Sequence, residues 1–116
     1  MEKQAGKLIC IETNRDTQLI DSLEILYCYI SGKNTVIVLN SGEELVTRYS
    51  LKFLEEVMLR DIKTLRCHSK NLVSLEHRII YNPGFRKIIL YNGKELIVAK
   101  DRKKMIKKIL NDLHYT

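Results

Sequence analysis

Short apolar runs broken by turn residues dominate the chain. Ile, Val, Leu and Tyr gather at 7–12 (KLICIE), 23–30 (LEILYCYI), 34–39 (NTVIVL), 43–48 (EELVTR), 64–67 (TLRC), 78–82 (RIIYN), 85–91 (FRKIILY) and 95–99 (ELIVA). Runs of this length and composition predict strands of an antiparallel β domain. The connections fall at Ser31-Gly32, Asn40-Ser41-Gly42, Asn82-Pro83-Gly84 and Asn92-Gly93. Asn-Gly supplies two residues that tolerate positive φ, as a tight hairpin turn requires. Arg78 to Ala99 therefore predicts a three-stranded meander. Two stretches change period. In SLKFLEEVML, Ser50 stands at an N-cap position, and Leu51, Leu54 and Met58 share a helical face. In DRKKMIKKILNDLHY, Asp101 is the expected N-cap and Met105, Ile106, Ile109, Leu110 and Leu113 form the apolar stripe. That stripe is short and lacks bulky aromatics, so docking against the sheet is expected rather than a membrane surface.

Composition sets the class. The 116 residues are 45% hydrophobic and 29% charged, with 5 Gly and 1 Pro, which describes one folded globular domain over 1–116. No apolar run approaches the roughly 20 residues of a membrane helix. The polar opening MEKQAGK leads into only four apolar residues, so no secretory signal is expected and the cytoplasm is the predicted compartment. Cys10, Cys28 and Cys67 cannot all pair internally, and free thiols are the simplest reading.

Charge sharpens the picture. The net charge is +6, and residues 86–116 alone hold 9 Lys/Arg against Glu95, Asp101 and Asp112, so the whole excess lies in that last quarter. A localised basic surface suits a polyanion such as nucleic acid. The solvated face of one lysine-rich helix, with Lys103, Lys104, Lys107 and Lys108, accounts for the charge equally well.

The stretch RCHSKNLVSL (66–75) is densest in chemistry-bearing side chains. A structural zinc site needs Cys or His pairs two to four residues apart. Here the cysteines are at least 17 residues apart, and His68, His77 and His114 form no such pair. Neighbours Cys67 and His68 point to opposite faces if they share a strand, which also disfavours a thiol–imidazole dyad. Cys67 reads instead as a buried strand residue. Phosphate-binding glycine motifs, a nucleophile elbow and His-Glu-x-x-His are missing, and Glu43-Glu44 and Glu55-Glu56 read as solvated surface. No catalytic residue, cofactor or metal is expected.

Three segments in order carry a family resemblance. LEILYCYISGKNTVIVLNSGEELVTRYSLKFLEEVM is similar to a strand of the form I-x-Y-I-E, two further strands and a helix opening near SLxxLE. LRCHSKNLVSLEHRI resembles F-x-R-x-H-R-S-Y-L-V-N-x-x-x-I, and KIILYNGKELIVAKDRKKMIKKIL resembles an ending of the form v-x-L-x-N-G-x-x-L-P-V-S-R-R. Together they resemble the LytTR DNA-binding domain, most strongly over 23–110, with 8–21 supplying an extra N-terminal strand and lead-in.

The resemblance implies a mainly β fold with two α-helices, an elongated arrangement of small antiparallel sheets with about 8–10 strands. It implies a bacterial transcription regulator, usually the output domain of a two-component response regulator, that inserts loops into DNA grooves. Three places are then expected at DNA: Lys33 and Asn34; His68, Ser69, Lys70 and Asn71; and Lys100, Asp101, Arg102 and Lys103. Lys and Arg neutralise phosphates or donate to guanine, and Asn can pair with adenine. Asp101 reads as a cap more than a base reader. Leu72, Val73 and Leu75 would re-anchor the loop in the core. The departures are Ser69 for Arg, Asn71 for an aromatic, Ser74 for Asn and Ala99 for Ser.

The implied partner is promoter duplex DNA, with tandem repeats as one arrangement and a homodimer as another. No membrane partner is expected, and a receiver domain is expected only if the chain belongs to a longer regulator. The competing reading is a protein-interaction module on the same fold with weakened base readout. Small-molecule or redox sensing through Cys67 is a third.

Overall fold

The computed structural model describes residues 6–114, and the first five residues of the polar opening lie outside that range. Among the described residues, ten strands form three antiparallel sheets. β1 (Leu8–Glu12) and β2 (Thr17–Asp21) make a two-stranded ribbon. β3 (Ile25–Ser31), β4 (Asn34–Leu39), β5 (Glu44–Thr47), β6 (Thr64–His68) and β7 (Asn71–Ser74) make a central sheet of order β5-β4-β3-β7-β6. β8 (Ile79–Asn82), β9 (Lys87–Leu90) and β10 (Glu95–Ile97) form the expected meander.

The central sheet is covered on both faces, which explains why LEILYCYI and TVIVL are continuous apolar runs. Successive strand side chains alternate sides. Cys28, Ile37, Leu45 and Leu72 therefore pack with Ile11 and Ile20 of the ribbon and with Leu51, Leu54 and Leu59. Val36, Val38, Leu65, Cys67 and Val73 pack on the other side with Ile88, Leu90, Leu96 and Ile106. A register shift between Ile25 and Tyr27 puts Leu26 and Tyr27 on this same second side. Fully burying one such Ile or Leu is worth about 1.5–3 kcal/mol, so each face needs its cover.

Ser50 Oγ accepts from Phe53 N at 3.0 Å and starts α1 (Leu51–Phe53) as its sequence predicts. The helix then widens into a π turn over Leu54–Met58, closed by Leu59 N to Leu54 O at 2.8 Å. The wider turn brings Leu59 into the first core beside Leu54, with Met58 only half-buried. The second helix, α2 (Lys103–His114), docks through Ile106, Ile109 and Leu110, whereas Met105 of the expected stripe faces solvent. No described helix is long and apolar enough to cross a membrane.

Three local expectations change. β2 is a strand although only Ile20 of TQLID is buried, because its partner β1 supplies the ladder that its weak alternation does not advertise. NLVS, expected as loop anchor, is β7, buried on both sides between β3 and β6. At Asn92-Gly93 only the glycine has positive φ, 93°, since Asn92 spends its side chain accepting from Lys94 N at 3.0 Å. The result is a longer loop closed by Gly93 N to Leu90 O at 2.8 Å, matched at Gly42 (φ 94°) by Gly42 N to Leu39 O at 2.9 Å.

Candidate nucleic-acid interface

Two two-residue hairpin turns lie side by side at one end of the central sheet. β3 turns into β4 through Gly32 and Lys33, and β6 turns into β7 through Ser69 and Lys70. Pairing of Tyr29 with Asn71 sets their registers together, and Ile30 N donates to Lys70 O at 3.1 Å across the gap. Lys33, Ser69 and Lys70 are exposed, while Asn34 and Asn71 are half-buried at the first positions of their strands.

The third segment reaches this end because β6 carries an extra residue. Leu65 pairs with Val73 and His68 with Asn71, so three steps on β6 face two on β7. A bulge of this kind takes carbonyls out of the ladder. Ala99 N takes Cys67 O at 2.9 Å, and Arg102 Nη1 takes Arg66 O at 3.1 Å. Asn71 Nδ2 adds a bond to Ile97 O at 3.4 Å. All three sequence-predicted places thus meet at one end of the molecule.

The helix start differs from expectation. A 3₁₀ turn over Lys100–Arg102 precedes α2; its N-cap is Ala99, with no side-chain cap. The bond from Ala99 N to Cys67 O holds the chain extended through 99, so winding begins at once and Asp101 falls inside the turn, exposed. Lys100 is exposed, and Arg102 and Lys103 are half-buried. Among the described residues, none of Lys33, Lys70, Lys100, Arg102 and Lys103 has a carboxylate within 4.0 Å. At the opposite end of the sheet glutamates outnumber lysines: Glu43 and Glu44 follow the β4–β5 turn, Glu24 precedes β3, and Lys63 stands beside Glu76 before β6.

Side chains of β6 and of the helical segment after α1 shape the second turn. Arg66 Nη2 donates to Ser69 O at 3.0 Å and Nε to His68 O at 3.3 Å, while Nη1 meets Glu55 Oε1 at 3.4 Å. His68 Nδ1 accepts from Lys70 N at 3.1 Å, which leaves its ring proton on Nε2. Beside the turn runs a groove of about 300 Å³ lined by Tyr29, His68, Lys70, Lys94 and Glu95. Arg66 falls on the Arg of the F-x-R-x-H pattern, but nothing in the sequence marks its pairing with Glu55, 11 residues away.

The candidate chemistry at Cys67 resolves as packing. Cys67 and Cys28 are buried free thiols, and burial pushes them up to about 11 and about 12 respectively; Cys10 is free and exposed. His77 is also structural, bonding Leu23 O through Nε2 at 2.9 Å and stacking on Tyr91 at 5.8 Å. No group of three or more potential metal ligands occurs among the described residues.

A mainly β scaffold that collects basic turns and a helix start at one end defines a nucleic-acid-binding class of domain. The sequence profile of the LytTr DNA-binding domain matches residues 15–111, and the chain belongs to this LytTR family of DNA-binding domains. Among solved structures, the LytTr DNA-binding domain of a protein described as a methyl-accepting/DNA response regulator from Bacillus cereus superposes with a TM-score of 0.73. It is 18% identical and the match covers 93% of this chain and 98% of that one. Curated protein sequences give no significant match.

Proposed function

We propose that the chain is a single domain that binds duplex DNA sequence-specifically, as the output domain of a bacterial transcription regulator, without catalysis. Lys33 and Asn34, the turn from His68 to Asn71, and the segment from Lys100 to Lys103 form the DNA-facing surface. The observation that carries the reading is their convergence through Ile30 N to Lys70 O and Ala99 N to Cys67 O, although they are spread over residues 33–103. Exposed lysines at the turn tips suit phosphates, and Lys70 stands one place from where the family carries Arg. Asn71 is tied to Ile97 O, so its role is to join segments more than to read a base.

Selection of bound sequences from a random duplex pool tests this directly, and enrichment of a defined site is expected. Affinity should fall with salt at a log–log slope of about −0.9 per phosphate contacted, and Lys100→Ala with Arg102→Ala should reduce that slope by up to about 1.8. No enrichment and no salt-dependent shift on promoter-length DNA would count against the proposal. The departures at Ser69 and Asn71 favour one second reading, a protein-interaction module. It predicts salt-dependent binding without enrichment, and a dimer or complex by light scattering that ignores DNA.

A further inference from the structure

We infer that Arg66 is the positioning residue of the DNA-facing turn and that Glu55, on the helical segment after α1, sets Arg66. The inference rests on the DNA-binding reading and adds the device that shapes its central loop. The turn needs one. Among the described residues Arg86 is the only non-glycine with positive φ, so Ser69 and Lys70 both lie at negative φ. Two-residue hairpins favour primed turns with positive φ, because other turn types splay the strands against their twist. The extra residue on β6 increases the local twist, and Ser69 O, inside the turn, lies beyond the last ladder pair of His68 with Asn71.

One planar group supplies what is missing. The Arg66 guanidinium reaches His68 O, Ser69 O and Glu55 Oε1 at 3.3, 3.0 and 3.4 Å, and its own carbonyl accepts from Arg102. A rigid fork of donors can hold three acceptors in one arrangement, which a lysine cannot. The Arg66 and Glu55 side chains are 22% and 32% exposed, so the pair is turned inward, away from an approaching phosphate. His68 completes the brace from above by accepting from Lys70 N. A turn held in one shape before binding has less freedom to lose on contact. Discrimination between sequences, more than charge-driven affinity, is therefore what the brace controls.

The test uses the whole chain with Arg66→Lys, which keeps the charge but not the fork, and Glu55→Gln, which is isosteric. Binding to the selected site and to a scrambled duplex is measured across salt, alongside amide exchange at Ser69 and Lys70 and a melting curve. Both variants should lose about tenfold in the ratio of the two affinities, the scale of one misplaced base contact. Their salt slopes should stay at the wild-type value, and exchange at Ser69 and Lys70 should quicken. The sharpest result is Glu55→Gln losing preference while its net charge becomes more positive. An unchanged ratio in a folded variant overturns the inference. So does a slope lowered by about 0.9 in Arg66→Ala, which would mean the guanidinium touches phosphate. If the wild type itself shows no site preference, the DNA reading fails, and amide exchange alone then decides whether the brace exists. If Arg66→Lys does not fold, Glu55→Gln carries the test.

Discussion

The two adjacent turns solve one geometric problem with different materials. Gly32, at φ 62°, shapes the first turn from the backbone alone, and a Cβ there would meet nothing within 4 Å. The second has no glycine and takes its shape from Arg66, His68 and the bulge beneath them. A glycine turn costs no side chain and is visible as a letter in the sequence. A braced turn leaves the tip free to carry any polar residue, and ties its shape to distant parts of the chain.

Substitutions can separate the two designs. The largest effect should come from Arg66→Ala, which removes two bonds to turn carbonyls and leaves Glu55 half-buried without its cation. We expect about 1–3 kcal/mol of lost stability by urea unfolding. Gly32→Ala should cost about 1–2 kcal/mol, all of it backbone strain because the space around it is open. Equal and negligible losses at both sites would erase the distinction. His68→Ala comes next, at about 0.5–1.5 kcal/mol for one hydrogen bond, with faster exchange at Lys70 N and unchanged exchange near Gly32.

At the small end stand the cysteines on which the two hairpins rest, Cys28 on β3 and Cys67 on β6. In the folded chain at pH 8 a thiol reagent should modify Cys10 and leave these two intact, with all three reacting in urea. Reaction of Cys67 in the native state would revive the idea of redox sensing. Because burial raises both thiols above the ordinary value near 9, the folded state holds their protons longer than the unfolded one. The associated stability is fully present below pH 9 and is lost as pH rises toward 11 and 12.

Much of the fold was legible in the sequence because it rests on local signals. Ser50 announces its helix, Asn82-Pro83-Gly84 and Asn92-Gly93 join the strands of the meander, and doubly buried strands write themselves as unbroken apolar runs. β2 and β7 escaped because TQLID buries a single residue and NLVS offers too short a run, and partners supplied the rest. The family pattern pointed to three site segments, and charge alone pointed to one. What neither offered was the mechanism of assembly. Carbonyls freed by a bulge at Arg66 and Cys67 recruit Ala99 and Arg102, and a one-residue slip in pairing leaves no mark in composition. The cap expected from Asp101 failed for the same reason, since a bond made by Ala99 fixed the helix start first.

The separation of charge along the central sheet bears on how fast the molecule finds its partner. Lysines tip one end, while Glu24, Glu43, Glu44 and Glu76 outnumber Lys63 at the other, which gives the domain a dipole lengthwise along its strands. Near a polyanion such a body feels a torque before it touches anything, and it arrives with the lysine end leading. Productive encounters then make up a larger share of all collisions. Reversing the glutamates, which lie at the far end of the strands from both turns, would slow capture by letting the domain tumble in at random, even though its total positive charge had grown.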